Sequence, residues 1–485
     1  MNRRDFIRRS AIGALAAGTA GQVAAGGRDP REKQPNILIL QPDQHAGAVL
    51  GIAGHPDVQT PNLDRLAANG VRFAESIANA PLCTPWRGMC QTGVYWHSHG
   101  AHRNNVRLRE DLPGFAESFA RAGYATGYIG KWHLDGGIPE LQPGGFVPPS
   151  RRKGWQEWLG HEKGHDFDTV WKTTGPGERR RVSDYEWEPQ WHTDKALDFA
   201  RRNGKNDTPW LYYVAYGPPH DPEEVPSRFS ARYPKDELTL NALQQSWAQA
   251  YAPPEKSLNL DSRIRSLLQT YYAQVTAIDE EVGRLVRGLK AMGQLDNTII
   301  LYTSDHGDHL GTHLSGNNLN LTLPDGTPML RGKASPFSLA FKTPMIWYAP
   351  GRFKPQCHED TFFQTADIPS TLLDLAGLQI PSRMQGVSMK PWLDGQNGPR
   401  QDSAYLGVNE RGWRGIYDGR FVYSPNFAYQ GAPGVLYDIQ EDPLQVYNRF
   451  PERNLRLLLH DQLVSLAEQT GDGPMTASLK DMVLH

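Results

Sequence analysis

Four apolar runs in this chain each lead into residues able to hold a cation or move a proton. "NILIL" at 36–40 precedes Asp43 and Gln44, "YATGYIG" at 124–130 precedes Lys131 and His133, "PWLYYVAYG" at 209–217 precedes His220, and "TIILYTS" at 298–304 precedes Asp305 and His306. Singly, each residue has an ordinary explanation, since an aspartate after a strand commonly caps or turns the chain and a lone histidine is commonly a satisfied surface or core group. Together they deliver two carboxylates, three imidazoles, an amide and an ammonium to corresponding positions. Carboxylates with amide and imidazole partners make an oxygen-rich divalent site, better suited to Ca²⁺ or Mg²⁺ than to zinc, with Mn²⁺ admitted by the imidazole.

For those positions to meet, the four runs must be strands of one sheet. Helix-like segments separate them: one opened by Thr60-Pro61 and closed by Gly70, then "GFAESFARAGY", then a long amphipathic stretch through "LLQTYYAQVTAIDEEVGRLVRGLKAMG". This alternation predicts an α/β fold with a large, mostly parallel sheet sandwiched by helices. Such sheets bind ligands outside the carboxyl ends of their strands, where the seven residues fall. From about Ile380 the texture changes to short aromatic strands between Gly and Asp turns, "SAYLGVNERGWRGIYDGRFVYSPNF" and "GVLYDIQEDP", followed by the helical "NLRLLLHDQLVSLAEQ". A small C-terminal antiparallel sheet plus one closing helix is expected, giving a main domain over 35–380 and a smaller α+β subdomain over 381–485. The polar, Pro- and Trp-rich segments around 136–190 and 221–260 read as long loops covering a site.

A net charge of -2 supplies no basic field for nucleic acid. The N-terminus, "MNRRDFIRRSAIGALAAGTAGQVAAGG", sets Arg3-Arg4 and Phe6-Ile7 before an Ala/Gly-rich run and resembles a twin-arginine export signal over residues 1–25. Its apolar part, Ala11 to Ala25, is shorter than the ~20 residues a spanning helix needs. Export to a periplasm is therefore expected rather than a retained anchor, with the export machinery as a transient partner. The three cysteines, Cys83, Cys90 and Cys357, leave at least one unpaired and match no zinc-thiolate spacing. Cys90 and Cys357 are free to pair. Cys83 stands in "PLCTPWRGMCQTG", among turn formers and four residues before Arg87, an unusual place for a packed thiol.

"CTPWRGMCQTG" resembles the signature of the sulfatase family: Cys or Ser, any residue, Pro, any residue, Arg, then Thr-Gly. "GKWHL", "PPHDP" and "SDHGDHLGTH" resemble its further motifs, and the similarity runs from about Pro35 to "LYDIQEDP". The resemblance implies a Cys-type enzyme of the alkaline phosphatase superfamily. A formylglycine-generating enzyme would read Pro85 and Arg87 and convert Cys83 to formylglycine, whose hydrated aldehyde is the nucleophile. Asp43, Gln44, Asp305 and His306, with the modified Cys83, would hold the metal. Lys131, Lys333 and Arg87 would balance the sulfate charge, and His220, helped by Lys333, would protonate the leaving oxygen. His133 would take the remaining hydroxyl proton of the diol, so that sulfate is expelled from within, which a serine nucleophile could not do. A helix starting at Cys83 and running toward Gly93 is expected to aim the modified side chain at backbone N–H groups and the metal. The chain departs from the family pattern at Asp43-Gln44, where paired aspartates are frequent, at His306, where Asn is frequent, and at Trp86, where serine is common. The link "LSGNNLNLTLPDGTPMLRG" before Lys333 is also longer and more polar than usual.

"YWHSHGAHRNN", Tyr95 to Asn105, concentrates three histidines, an arginine and two asparagines after the signature. His102, Arg103, Asn105 and Trp86 are expected to bind a sulfated poly- or oligosaccharide, the aromatic ring stacking on sugar and the others meeting hydroxyls and sulfates. A solvated loop with one or two satisfied histidines is the competing reading. Two other functions fit the motifs less fully: a phosphodiesterase or phosphonate monoester hydrolase of the same superfamily, and a non-catalytic carbohydrate-binding relative that needs no modified cysteine.

Overall fold

A computed structural model of the chain describes residues 33–136, 146–162, 170–172, 180–182, 185–206, 208–250, 259–313, 329–409, 412–429 and 431–482. The expected export segment at 1–25 and residues 314–328 of the polar link lie outside the described residues.

The strands, in chain order, are β1 (Asn36–Asp43), β2 (Val71–Ile77), β3 (Ala125–Lys131), β4 (Glu157–His161), a short pair β5 (Val170–Lys172) and β6 (Arg180–Val182), β7 (Trp210–Pro219), β8 (Thr298–Thr303), β9 (Met345–Tyr348) and β10 (Gln356–Gln364). Eight of them form one sheet in the order β10-β2-β9-β8-β1-β7-β3-β4. Every neighbouring pair is parallel except those of β9, which runs antiparallel to both β2 and β8. The large, mostly parallel sheet expected from the strand–helix alternation is therefore the one observed. The main helices are α1 (Pro61–Ala68), α2 (Cys83–Thr92), α3 (Phe115–Arg121), α4 (Glu188–Gly204), α5 (Leu260–Ala291), α6 (Asp367–Leu375), α7 (Arg453–Thr470) and α8 (Gly473–Lys480).

Burial on both faces explains why β1 reads as an unbroken apolar run. Alternate residues point opposite ways. Leu38 and Leu40 join Tyr212, Val214, Ile300 and Tyr302 in a core completed by α4 and α5. Ile37 and Ile39 join Leu211, Tyr213, Ile299 and Leu301 on the other face, against residues of α2, α3 and α6. In α5, Ile264, Leu267, Leu268, Tyr271, Val275, Ile278, Val282 and Leu285 fall at helical spacing and are all buried, each contributing about 1.5–3 kcal/mol for a full aliphatic or aromatic side chain. Asn259 caps this helix, its side chain accepting the Ser262 N–H at 3.0 Å.

The second sheet is antiparallel, β11 (Ala404–Val408), β12 (Trp413–Tyr417), β13 (Phe421–Ser424) and β14 (Val435–Asp438) in consecutive order. Leu459, Leu463 and Ala467 of α7 pack into its aromatic core. Where one closing helix was expected there are two, because Gly471 takes φ 82°, ending α7 and letting α8 begin at Gly473. The Gly407 N–H donates to the Asn79 carbonyl and the Trp413 indole to the Ala334 carbonyl, joining this sheet to the loops beside the large sheet's strand ends.

Two local readings change. The segment around 136–190, expected as covering loop, supplies β4 at the sheet edge. β2, "VRFAESI", and β10, "QCHEDTFFQ", mix charge with apolar residues because β10 is an exposed edge and β2 lies beside it, so neither carries the apolar run that marks the central strands.

A candidate active site at the strand ends

β8, β1, β7 and β3 are adjacent and parallel, so their carboxyl ends share one rim. The β1–β7 register slips between Pro42 and Asp43, a bulge that re-aims the last strand residue. The Gln44 N–H donates to Asp305 Oδ1 at 3.0 Å and the Ser304 hydroxyl to the Pro42 carbonyl at 3.0 Å, tying the ends of β1 and β8 together. Gln44 (φ 71°), Asn105 (φ 60°), His133 (φ 59°) and Ala334 (φ 58°) all adopt the left-handed region, which costs a non-glycine residue roughly 1–2 kcal/mol. Such strain gathers at functional sites, where the surroundings hold it. Here the Tyr271 hydroxyl fixes the Gln44 carbonyl at 2.6 Å and the Thr84 hydroxyl fixes the His133 carbonyl at 3.0 Å.

Cys83 is the first residue of α2, and Gly93 ends that helix with φ 70°, as the motif implied. Its thiol is buried, with Sγ 3.1 Å from His306 Nε2, 3.3 Å from Lys333 Nζ, 3.7 Å from Lys131 Nζ and 3.8 Å from Asp43 Oδ1. Sγ stands where the oxygens of a converted side chain would lie. Burial and the Asp43 charge push this thiol up, but Lys131, Lys333 and His306 together outweigh them and hold it well below the ordinary cysteine range. The position therefore favours an anion. One of the helix N–H groups expected to face it, that of Thr84, is instead taken by Asn104 Oδ1 at 3.1 Å.

Asp43, Cys83, Asp305 and His306 each offer a donor atom, all lying within 4.8 Å of one another. Burial, then the neighbouring Asp43 charge, raises Asp305 above the usual carboxylate range, with His306 and Arg87 opposing the shift. His306 Nδ1 lies 3.0 Å from the Gly307 carbonyl, which can only accept, so Nδ1 carries a proton and Nε2, facing Cys83, is the nitrogen that a cation would take once its own proton is displaced. This donor set fits a divalent cation. Gln44 Oε1 faces the same space, 2.8 Å from Lys333 Nζ.

Arg87, one turn beyond Cys83, was expected to stay beside the modified residue and balance the sulfate charge; the partners the structure gives it are the two carboxylates and a carbonyl. Its Nη2 donates to Asp43 at 3.2 Å and Asp305 at 3.1 Å, and Nη1 to the Lys131 carbonyl at 2.6 Å. The buried fork is engaged in orienting the two carboxylates. Lys131, on Asp43 Oδ2 at 2.5 Å, and Lys333 are the cations left beside the reacting position. Burial works against the Lys131 charge, but Asp43 more than compensates and its pKa lies above the ordinary lysine value.

His133 Nε2 lies 3.1 Å from Asn105 Oδ1, which makes Nε2 the protonated nitrogen and leaves Nδ1 buried with Cys83 as neighbour. Burial lowers this imidazole to about 4, so at neutral pH it is a free base. His220 is set on the rim by its N–H to the Asp43 carbonyl at 3.1 Å, and its partly exposed ring lies against Asp221.

The expected sugar-binding set is partly overturned. Trp86 is 1% exposed and packs in the core with Ile37, Phe73 and Cys90, so it cannot stack on a sugar; its position on α2 turns it into the sheet. His97 and His99 are structural: His97 packs among Tyr95, Trp96 and Tyr405, and His99 Nε2 donates to the Pro85 carbonyl at 3.0 Å. Gly88 makes this possible, because a Cβ there would fall 2.5 Å from the His99 ring. His102 Nδ1 turns back to the Gly100 carbonyl at 2.8 Å, Arg103 is exposed, and Asn105 serves His133. All three cysteines are free: Cys90 is buried and Cys357 exposed on β10. Residues not singled out from sequence also build the site, namely Thr84, Asn104, Asp308, Arg331 and Tyr271. Asp308 and Arg331 stand within quoted segments, but nothing in their spacing assigned them a task.

Residues 35–378 match the family model Sulfatase, and residues 333–469 match the model N-sulphoglucosamine sulphohydrolase, C-terminal. The chain thus belongs to the sulfatase family and is a sulfuric ester hydrolase. It is 30% identical over 425 residues to the ulvan-active sulfatase of Formosa agariphila, covering 86% of this chain and 77% of that protein. It is 28% identical over 429 residues to the N-acetylglucosamine-6-O-sulfatase of Bacteroides thetaiotaomicron, covering 75% and 72%. The phosphonate monoester hydrolase of Agrobacterium radiobacter shares the fold, with a TM-score of 0.70 at 24% identity over 90% of this chain and 96% of that one.

Proposed function

We propose that this sulfatase removes sulfate from a sulfated poly- or oligosaccharide outside the cytoplasm, with a formylglycine formed from Cys83 and a bound divalent cation. The observation that carries the reading is the place of Cys83: first residue of a helix, between Lys131 and Lys333, with Asp43, Asp305 and His306 around its Sγ.

Asp43, Asp305 and His306, with the Gln44 oxygen, would hold the cation, which supplies positive charge to offset that of the sulfate and to favour an ionised nucleophile. Formylglycine, once formed and hydrated, supplies a geminal diol where a plain hydroxyl would leave a stable ester. Hard oxygen donors favour Ca²⁺, with Mg²⁺ and Mn²⁺ as the other candidates. Lys131 and Lys333 meet the sulfate oxygens, His220 on the rim delivers a proton to the departing sugar oxygen, and His133, neutral and with Cys83 as neighbour, would take the remaining hydroxyl proton of the hydrated side chain, so that sulfate leaves. Arg87 keeps the two aspartates in position throughout.

The carbohydrate reading draws on its similarity to the ulvan-active sulfatase and the N-acetylglucosamine-6-O-sulfatase, and on exposed Arg103, next in the chain to Asn104 at the Thr84 N–H. The export reading draws on the twin-arginine-type segment at 1–25. The test is sulfate release from a panel of sulfated saccharides by enzyme matured with a formylglycine-generating enzyme. Turnover of a phosphonate monoester at much higher kcat/KM would move the chain to the phosphorus side of the fold, and tight sugar binding without sulfate release after verified maturation would make it a binding protein.

A further inference from the structure

Gln44 differs from the other residues around the cation position in having two unlike faces. A carboxamide offers an oxygen on one side and an NH₂ on the other, and only the oxygen can hold a cation. Some other group must choose the face.

Asp308, on the loop after β8, is fully buried and touches Gln44 directly. Its Oδ2 accepts Gln44 Nε2 at 2.6 Å and Arg331 Nε at 2.6 Å, while Oδ1 accepts the N–H groups of Leu310 and Gly332, each at 3.1 Å. On the opposite side of the amide, Lys333 Nζ donates to Gln44 Oε1 at 2.8 Å. A carboxylate paired to arginine can only accept and an ammonium can only donate, so two one-sided partners leave the amide a single orientation. Arg331 also donates through Nη2 to the carbonyl of Pro219 at 2.6 Å, the residue before His220. The same pair therefore borders the nucleophile side of the site through Gln44 and Lys333, and the proton-donor side through Pro219.

We infer that Asp308 is a positioning residue that holds the Gln44 amide with its oxygen toward the cation, and that Arg331 extends this hold to the His220 loop. The inference rests on the divalent-cation reading given above. Removing a group that orients a metal ligand typically weakens metal binding by about 10- to 100-fold. A carboxylate in place of the Gln44 amide presents oxygen on both faces and needs no orienting partner.

The experiment is calorimetric titration of Ca²⁺, Mg²⁺ and Mn²⁺ into chelator-treated native protein, D308A and D308A/Q44E, with circular dichroism to verify folding. The expected result is an affinity about 10- to 100-fold lower in D308A, with most of that loss recovered in D308A/Q44E. Native-like affinity in D308A overturns the inference, and so does a loss that Q44E leaves unrepaired, which would mark a general collapse of the loop. Native protein that binds none of the three ions overturns the cation reading itself, and the inference with it. Should D308A not fold, a crystal structure of the Ca²⁺-loaded native protein decides the matter: Gln44 Oε1 on the ion with Nε2 on Asp308 supports the assignment, and a ligand set without Gln44 overturns it.

Discussion

Lys131 Nζ lies 2.5 Å from Asp43 Oδ2 and 3.7 Å from Cys83 Sγ, so one ammonium serves both a buried carboxylate and the reacting position. Lys131→Ala removes a charge-assisted contact from each. With Arg87 still holding Asp43, the fold is expected to survive while kcat falls about 10²- to 10³-fold, the usual cost of losing one preorganised charge-stabilising donor. Steady-state kinetics on an aryl sulfate alongside metal analysis checks this; unchanged kcat would show that Lys333 alone meets the sulfate.

On the formylglycine reading proposed above, maturation is expected to precede folding, because Cys83, Thr84, Pro85, Trp86 and Arg87 are all buried and the segment a maturation enzyme would read is out of reach in the folded protein. Protein folded with an unmodified cysteine is expected to resist conversion in vitro, whereas co-production gives the aldehyde in the tryptic peptide Phe73 to Arg87. The mass of that peptide under the two regimes is the measurement, and efficient conversion of the folded form would contradict the burial argument.

Arg103 and Asn105 are expected to behave differently. Arg103 is exposed and, among the described residues, has no hydrogen bond or ion pair to the reacting groups, so Arg103→Ala should lower kcat/KM on a sulfated saccharide far more than on a small aryl sulfate. Asn105 orients the His133 ring through its 3.1 Å contact, so Asn105→Ala should slow both substrates. Equal losses for Arg103→Ala on the two substrates would remove it from sugar recognition.

Trp86 is a core residue in this structure. Trp86→Ala is expected to cost about 3–5 kcal/mol of stability by opening a cavity between α2 and the sheet. Trp86→Phe should lose much less and leave KM for a saccharide unchanged. A large rise in KM in a stably folded Trp86→Phe variant would return the residue to the binding surface.

Stability should respond to pH through Asp367 at the start of α6. Burial pushes this carboxyl up to about 6, even though it accepts from the Gln364 and Val387 N–H groups and from Gln401. The folded value lies above the unfolded one, so the folded protein keeps a proton that the unfolded chain sheds. Its contribution is full below pH ~4 and is lost as pH rises toward ~6, by up to about 3 kcal/mol. Urea unfolding at intervals from pH 4 to 7 is expected to show a flatter profile for Asp367→Asn than for the native protein; parallel profiles would assign the pH dependence elsewhere.

Much of the site was legible before folding was considered. Each central strand announces itself as an apolar run because both of its faces are buried, and once four such strands are parallel, Asp43, Lys131, His220 and Asp305 must share a rim. The cysteine betrayed itself by its company of Pro85 and Arg87. What the chain's order of residues could not say is which way a side chain turns once elements pack. Trp86 lies on the same helix as Cys83, and only the docking of α2 on the sheet sends one into the core and the other into the site. Arg87 could have faced a sulfate until the third dimension set Asp43 and Asp305 within reach of its fork. Asp308 meets Gln44 across 264 residues of chain, a contact that no local spacing encodes. Periodicity is a property of neighbours along the backbone and is written in the sequence. Hydrogen-bond partnership between distant loops depends on how whole elements pack, and here the tertiary structure alone decided it.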